Sequence, residues 1–294
     1  MKALMIFTGG TIASTISDNA ISPIDNGGGS KSRLADMFFD LYPKYREKIE
    51  FECEFLLNKL SENMKPSDWE KIVSRLLSVD DKNYDAIFIA HGSDTLAYFA
   101  NMLSVFFGNK NLPVFVIASD RVLEDKRANG LENLKCGVDV LLSGVTSGVY
   151  VPYKSEGEAV RLHKGYQITQ SQILGSSFYS LPSRPVYCDE FSGFKKRVLI
   201  LKSYVGADYS FVDTKCFDSI LIELYHGGTT DVDVLKVLVE KARTSGTEIY
   251  AASVKSENTL YESTVELQGL GVKFLHDLTL ETAYACLLSG VETD

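Results

Sequence analysis

Two segments of the chain place a hydroxyl side chain directly after a glycine turn that follows a short apolar strand. Residues 8–11 (TGGT) follow the apolar run 2–7, and residues 91–94 (HGSD) follow the run 86–90. Glycine permits a tight turn and a close approach of ligand to backbone, and open α/β sheets bind ligands at the carboxyl ends of their strands. Thr11 and Ser93 are therefore candidate nucleophiles, each needing a neighbouring group to take its proton. Each turn alone is as typical of a helix cap as of a catalytic site, but the two together indicate a hydrolytic site.

Strand and helix patterns alternate along the chain, which predicts an α/β fold with a mostly parallel sheet covered by helices. Residues 67–78 are a predicted helix, with Ser67 as its N-cap. The predicted strands are 2–7, 50–57, 86–90, 114–118, 148–152, 197–202, 219–224 and 248–252, and the further predicted helices are 96–107, 127–142, 231–244 and 279–288.

A change in composition at residues 179–196, which contain Pro182, Pro185 and Gly193, predicts a linker between two domains. We expect a larger N-terminal α/β domain over residues 1–182, a linker over 183–196 and a smaller C-terminal α/β domain over 197–294. Residues 14–32 are rich in glycine and polar side chains, and predict a flexible loop of the kind that acts as a lid.

Composition excludes several classes of protein. The 294 residues carry a formal net charge of −9, which argues against a nucleic-acid partner. No apolar stretch is long enough to span a membrane, and the opening apolar run is too short for a signal peptide. The five cysteines are scattered and odd in number, which is typical of reduced thiols, and no Cys or His pair has metal-ligand spacing. We therefore expect a cytoplasmic protein without a metal site.

Five segments, taken in chain order, resemble the bacterial-type L-asparaginases, and the helix at residues 96–100 (LAYFA) is closer to their cytoplasmic type than to the secreted one. These segments are 8–12 (TGGTI), 61–69 (SENMKPSDW), 91–95 (HGSDT), 127–134 (RANGLENL) and 278–283 (LTLETA). The resemblance implies hydrolysis of L-asparagine to L-aspartate and ammonia, with no cofactor, by a homodimer or homotetramer.

The same resemblance assigns roles to the hydroxyls of the two turns. Thr11 is expected to attack the side-chain amide carbon and form an acyl-enzyme. Ser93 takes the place of the family's second threonine, whose hydroxyl joins a lysine and an aspartate in proton transfer, and Asp94 is expected to hold the α-amino group of the substrate. Serine keeps the hydroxyl of threonine but loses the methyl group that restricts its rotamer.

Three further residues are assigned to substrate binding by the resemblance. Ser61 is expected to bind the α-carboxylate of the substrate. Glu62 is expected to contact the substrate ammonium and to set the preference between asparagine and glutamine. The backbone around Ser119 is expected to line the pocket for the amide.

The chain departs from the family pattern at the catalytic lysine. The best local match is Arg161, which can stabilise an alkoxide but is a poor general base because its guanidinium stays protonated. Lys164 and His163 are the alternatives. The lid tyrosine of many family members is also missing from residues 19–23, and Tyr225 could act in its place.

In this family a neighbouring subunit completes the site, and Ser245 and Glu262 fall roughly where such partner residues occur.

Two other functions remain open. One is a related amidohydrolase that acts on glutamine or another amide, or that supplies ammonia within a tRNA amidotransferase. The second is a homologue that binds an amino acid without turning it over.

Overall fold

The computed structural model describes residues 1–17, 20–23, 33–172, 174–256 and 260–293. These residues divide into two compact units, Met1–Leu181 and Pro182–Asp294. Each unit contains a parallel or mostly parallel sheet with helices, and the predicted α/β fold with a mostly parallel sheet is confirmed.

The first unit is built on a six-stranded sheet in the order β4-β1-β5-β6-β7-β8. Its pairs are parallel except the last, in which β8 runs antiparallel to β7. The strands of this unit are β1 (Lys2–Gly9), β2 (Ser14–Ser17), β3 (Ala20–Pro23), β4 (Glu50–Lys59), β5 (Ala86–Ala90), β6 (Val114–Ile117), β7 (Val149–Lys154), β8 (Val160–Lys164), β9 (Ile168–Thr169) and β10 (Tyr179–Ser180). Its helices are α1 (Arg33–Leu41), α2 (Pro66–Leu77), α3 (Leu96–Phe107) and α4 (Gly130–Leu142).

The central strands are apolar throughout because helices and loops cover both faces of the sheet. Every residue of β5 and β6 is buried, and Phe88 stacks on Phe115 of the next strand with 4.9 Å between ring centroids. The carboxyl ends of β1, β5 and β6 consequently lie side by side at one edge of a rigid core, and this is the edge where the two glycine turns begin.

The second unit has a four-stranded, fully parallel sheet in the order β11-β12-β13-β14. Its elements are β11 (Val198–Lys202), β12 (Ser219–Glu223), α5 (Val232–Ser245), β13 (Glu248–Val254), α6 (Glu262–Gly269), β14 (Lys273–His276) and α7 (Leu280–Ser289). Within the described residues, no helix combines the length and the apolar character that crossing a bilayer requires.

Two local predictions are corrected. Helix α2 has Lys65 as its N-cap, and the predicted Ser67 cap is wrong, because Pro66 occupies the first turn, where a missing N–H costs nothing. The Asp68 carboxylate accepts a hydrogen bond from the Lys65 backbone N–H at 3.0 Å. The predicted loop 14–32 is in part an antiparallel hairpin, β2–β3, while residues 18–19 and 24–32 lie outside the described residues.

The buried helix α3 should contribute strongly to the stability of the first unit. Leu103 is 0% exposed in α3, whereas Leu77 is 46% exposed at the end of α2. Leu103→Ala should lower the free energy of unfolding by about 2–5 kcal/mol, because the vacated volume cannot be refilled. Leu77→Ala, the matched control, should change it by about 1 kcal/mol or less. Urea unfolding measures both, and equal losses would contradict the assignment of α3 to the core.

Candidate functional site

The two glycine turns touch each other through their backbones. Strands β1 and β5 are neighbours, with Phe7 opposite Ala90. A Cβ atom on Gly10 would lie only 2.3 Å from the Cα of Gly92, and Gly10 has a φ of +79°, so a side chain is excluded there by both sterics and conformation. The residues that follow these glycines, Thr11 and Ser93, therefore start from one shared point at the strand ends.

A third segment packs against the same point. Ser61 is buried in the short 3-10 turn that follows β4, and a Cβ atom on Gly92 would lie 2.4 Å from its Oγ. The Gly10 backbone N–H donates to the carbonyl of Lys59, the last residue of β4, at 2.8 Å. The structure thus brings Thr11, Ser93 and Ser61 to one place, with exposed Glu62 adjoining Ser61.

A buried histidine ties these turns together. Thr8 Oγ1 donates to the Ala90 carbonyl at 2.9 Å, and so accepts the 2.8 Å hydrogen bond from His91 Nδ1–H. The Thr95 hydroxyl lies 3.2 Å from His91 Nε2 and 3.3 Å from the Ser61 carbonyl oxygen. Burial lowers the pKa of His91 to about 3, so the ring is neutral and serves as a connector between turns.

A cavity of about 360 Å³ opens beside the second turn. It is lined by Ser93, Asp94, Asp120 and Tyr153, which lie at or just beyond strand ends, and by residues of one loop. The loop residues are Gln170, Ser171, Gln172, Gly175, Ser176 and Phe178. Gln170 Nε2 donates to the Asp94 backbone carbonyl at 2.7 Å, which holds the loop against the turn.

Asp120, which sequence reasoning missed, follows β6 in the way that Ser93 follows β5. Its backbone N–H donates to Asn129 Oδ1 at 3.0 Å, and its Oδ1 accepts from the Asn129 N–H at 3.1 Å. The preceding Ser119 is fully buried, and its Oγ donates to the Arg121 carbonyl at 2.6 Å. The rule that parallel strands deliver functional groups at their carboxyl ends could have identified Asp120.

Sequence reasoning also missed Tyr153 and Gln170. Tyr153 is 1% exposed near the end of β7, and burial raises the pKa of its phenol to about 12. The phenol therefore stays protonated at neutral pH. Apolar alternation along β7 explains its burial, but no local signal in the sequence marks either residue as part of a cavity.

The three candidates for the family's lysine lie on β8, and the structure does not bring them to this cavity. Arg161 is 58% exposed on its side chain and pairs with Glu158 at 3.2 Å. His163 is buried, and its Nδ1 lies 2.8 Å from Ser180 Oγ; burial lowers its pKa. Lys164 is exposed, with its ammonium 5.9 Å from the ring of Tyr166.

The remaining predicted residues belong to the second unit. Tyr225 is exposed in the turn after β12, and its backbone N–H donates to the Thr229 carbonyl at 3.0 Å. Ser245 Oγ lies 2.8 Å from Thr247 Oγ1 at the end of α5, and Glu262 is the first residue of α6. Their roles stay predictions.

Comparison with known proteins assigns this arrangement to a family. A family model described as asparaginase, N-terminal, matches residues 2–186, which include both glycine turns and the cavity. The chain belongs to the asparaginase family. The resemblance seen in the sequence motifs is thereby confirmed.

Relatives of the chain differ in what they are described as doing. A glutamyl-tRNA(Gln) amidotransferase component from Aeropyrum pernix is 27% identical over 323 aligned residues, which cover 97% of this chain and 73% of that protein. The thermostable L-asparaginase from Thermococcus kodakarensis has the same fold, with a TM-score of 0.78 and 23% identity, over 100% of this chain and 94% of that one. A probable cytoplasmic L-asparaginase from Campylobacter jejuni has a TM-score of 0.72 at 18% identity, over 100% and 96% of the two chains.

Close packing at Gly92 makes a small substitution costly. In Gly92→Ala the new methyl group would meet Ser61 Oγ at 2.4 Å and Gly10 Cα at 3.1 Å. We expect the overpacking to lower the free energy of unfolding by about 1–3 kcal/mol. Gly269→Ala, the control, has no heavy atom within 4 Å of the added carbon and should not be destabilised. Urea unfolding measures the stability of both variants. A Gly92→Ala protein as stable as wild type would contradict the tight contact of the turns.

The buried neutral His91 should make the protein sensitive to acid. Its pKa is depressed in the folded protein to about 3 from an ordinary 6.5, so its contribution is complete above pH 6.5 and is lost as the pH falls below that value. Between pH 7.5 and pH 5.5 this one group should remove about 1.4 kcal/mol of stability. In His91→Asn that part of the pH dependence should vanish. Phe99→Leu removes the ring that stacks on His91 but keeps the histidine, so it should retain the pH dependence. Unfolding curves at the two pH values test this, and parallel pH dependence in wild type and His91→Asn would contradict it.

Proposed function

We propose that this member of the asparaginase family hydrolyses the side-chain amide of L-asparagine to give L-aspartate and ammonia, without a cofactor. One observation carries the proposal. The backbone contact between Gly10 and Gly92 brings Thr11 and Ser93 to the carboxyl ends of adjacent strands, and Ser93 lines a cavity together with Asp94. A nucleophilic hydroxyl, a second hydroxyl and a carboxylate are the groups that an acyl-enzyme route needs.

In the proposed route, Thr11 Oγ attacks the amide carbon and loses its proton toward Ser93. The tetrahedral intermediate collapses with release of ammonia and leaves an ester on Thr11. Water then attacks the ester and frees L-aspartate, and Thr11 regains its proton. The neutral His91 takes no part in this transfer, because its ring nitrogens are engaged by Thr8 and Thr95.

Substrate binding is proposed to use the charged and polar groups around the turns. Asp94 binds the α-ammonium, and buried Ser61 supplies its hydroxyl to the α-carboxylate. Glu62, exposed beside Ser61, meets the ammonium from the open side. Ser119 supports the amide pocket from the end of β6. We assign no catalytic step to Arg161, because it is exposed and paired with Glu158.

The setting of the enzyme is part of the same proposal. A cytoplasmic location is supported by the scattered cysteines and by the likeness to the Campylobacter jejuni protein, whose description names a cytoplasmic L-asparaginase. A homodimer or homotetramer is supported by family membership, with Ser245 and Glu262 as candidates for residues supplied to a neighbouring site.

A second candidate is a protein that binds an amino acid without turning it over. The described lining of the cavity contains no lysine, arginine or histidine, so the cation of the family's proton-transfer set is missing from those positions. Tight aspartate binding in calorimetry, with no ammonia released from any amide, would favour this candidate.

The decisive experiment measures ammonia release from L-asparagine, L-glutamine and D-asparagine by wild type and variants. Thr11→Val keeps the shape of the side chain and removes the hydroxyl, so we expect kcat to fall by about 10³-fold or more. Thr11→Ser should retain measurable turnover. Thr244→Val, the same change at an exposed helical position, should behave as wild type. Full activity in Thr11→Val would exclude Thr11 as the nucleophile, and faster turnover of glutamine would move the substrate assignment toward the amidotransferase-like alternative.

A further inference from the structure

We propose that Asp120 is the general base of this site, taking the part in proton transfer that a lysine plays in the family pattern. This inference rests on the proposed amide hydrolysis, and adds a catalytic residue to it. The carboxylate would accept the Thr11 proton by way of the Ser93 hydroxyl.

The first argument is position. Strands β5 and β6 are adjacent and parallel, with Ala90 opposite Ile117, and the His91 N–H donates to the Ile117 carbonyl at 2.9 Å. Ser93 and Asp120 each stand three residues beyond that paired position, and both line the same cavity. The sheet therefore brings the second hydroxyl and the carboxylate to the same cavity.

The second argument is that Asp120 is held in place. Asn129, which is almost fully buried, accepts from the Asp120 backbone and donates to its Oδ1. Asn129 Nδ2 also donates to the Lys154 carbonyl at 2.7 Å, which fixes the amide between two strand ends. A base positioned by its neighbours loses little entropy when it acts.

The third argument is elimination among the groups that line the cavity. Tyr153 has its pKa raised to about 12 by burial and cannot accept a proton near neutral pH. Asp94 is the more exposed of the two carboxylates, and the proposed function assigns it to the substrate ammonium. Gln170 cannot be a base, and within the described lining no lysine, arginine or histidine is present. Asp120 is the remaining proton acceptor.

The charged and titratable groups near Asp120 come from three elements. Arg121 Nε lies 3.7 Å from Asp120 Oδ2, and Arg127 belongs to the same loop. Asp94 faces the cavity from the turn after β5, and the Tyr153 phenol faces it from β7. Arg121 also lies 3.8 Å from the Asp125 carboxylate, so it is shared between the two acids, whereas Arg127 pairs with Asp125 at 2.8 Å.

The proton balance closes without any further reactant. Thr11 Oγ forms a bond to the amide carbon while its proton passes through Ser93 to the Asp120 carboxylate. The protonated Asp120 returns that proton to the departing nitrogen, which leaves as ammonia when the C–N bond breaks. In the second half, Asp120 takes a proton from the attacking water and returns it to Thr11 Oγ as the ester bond breaks.

The test is the pH profile of kcat for asparagine hydrolysis by the full chain. A carboxylate base is active only when ionised, so wild-type kcat should fall on the acid side as that base becomes protonated. Asp120→Asn should lower kcat by about 10²–10³-fold with little change in KM, and its residual rate should lack the acid limb. Asp120→Glu should restore part of kcat, and its kcat should again fall at low pH. Aspartate binding by calorimetry verifies that each variant is folded.

Asp125→Asn is the matched control, because Asp125 lies on the same loop and is not among the cavity residues. It should keep the wild-type kcat and acid limb. The proposal is overturned if Asp120→Asn keeps the wild-type kcat. It is also overturned if Lys164→Gln loses activity while Asp120→Asn does not. If wild type releases no ammonia from any amide, the proposed function fails as well. If only Thr11→Val loses activity, the base assignment alone is wrong.

Discussion

The site depends on the approach of two backbone segments that no side chain could permit. Gly10 and Gly92 meet at the carboxyl ends of neighbouring strands, with room for hydrogen atoms and nothing larger. The other groups at the strand ends are arranged around that contact: Ser61 packs against Gly92, and the hydroxyls of Thr11 and Ser93 follow one residue later. The two strands that lead into this contact hold it rigidly, because β1 and β5 are buried along nearly their whole length.

Polar groups beneath the contact are satisfied internally, which lets them be buried without a large loss of stability. His91 lies under the turn, stacked on Phe99 with 4.0 Å between centroids and bonded through both ring nitrogens to threonines. Because the His91 ring is neutral and bonded on both sides, it does not take part in the proposed proton transfer. A histidine near a reacting hydroxyl can suggest a base, but a ring whose two nitrogens are already engaged acts as a connector instead.

Local signals are sufficient to predict part of this structure and insufficient for the rest. Thr11 and Ser93 can be found from sequence because glycine, hydroxyl and buried strand are adjacent in the chain. Asp120 and Gln170 are far apart in sequence, and their meeting at one cavity depends on strand order and on the path of a loop. Spacing selects Arg161, but it does not reveal that β8 turns back antiparallel and leaves this side chain exposed.

Strand β4, which leads directly into Ser61, forms one edge of the six-stranded sheet. An edge strand offers unpaired backbone groups to any other strand, and proteins commonly protect such edges with charge. Glu52 pairs with Lys2 and Glu54 with Arg75, so the chain keeps ion pairs along β4. Charged side chains of this kind oppose recruitment of an edge strand into an intermolecular sheet. The charged edge and the path of the chain into Ser61 therefore belong to the same ten-residue strand.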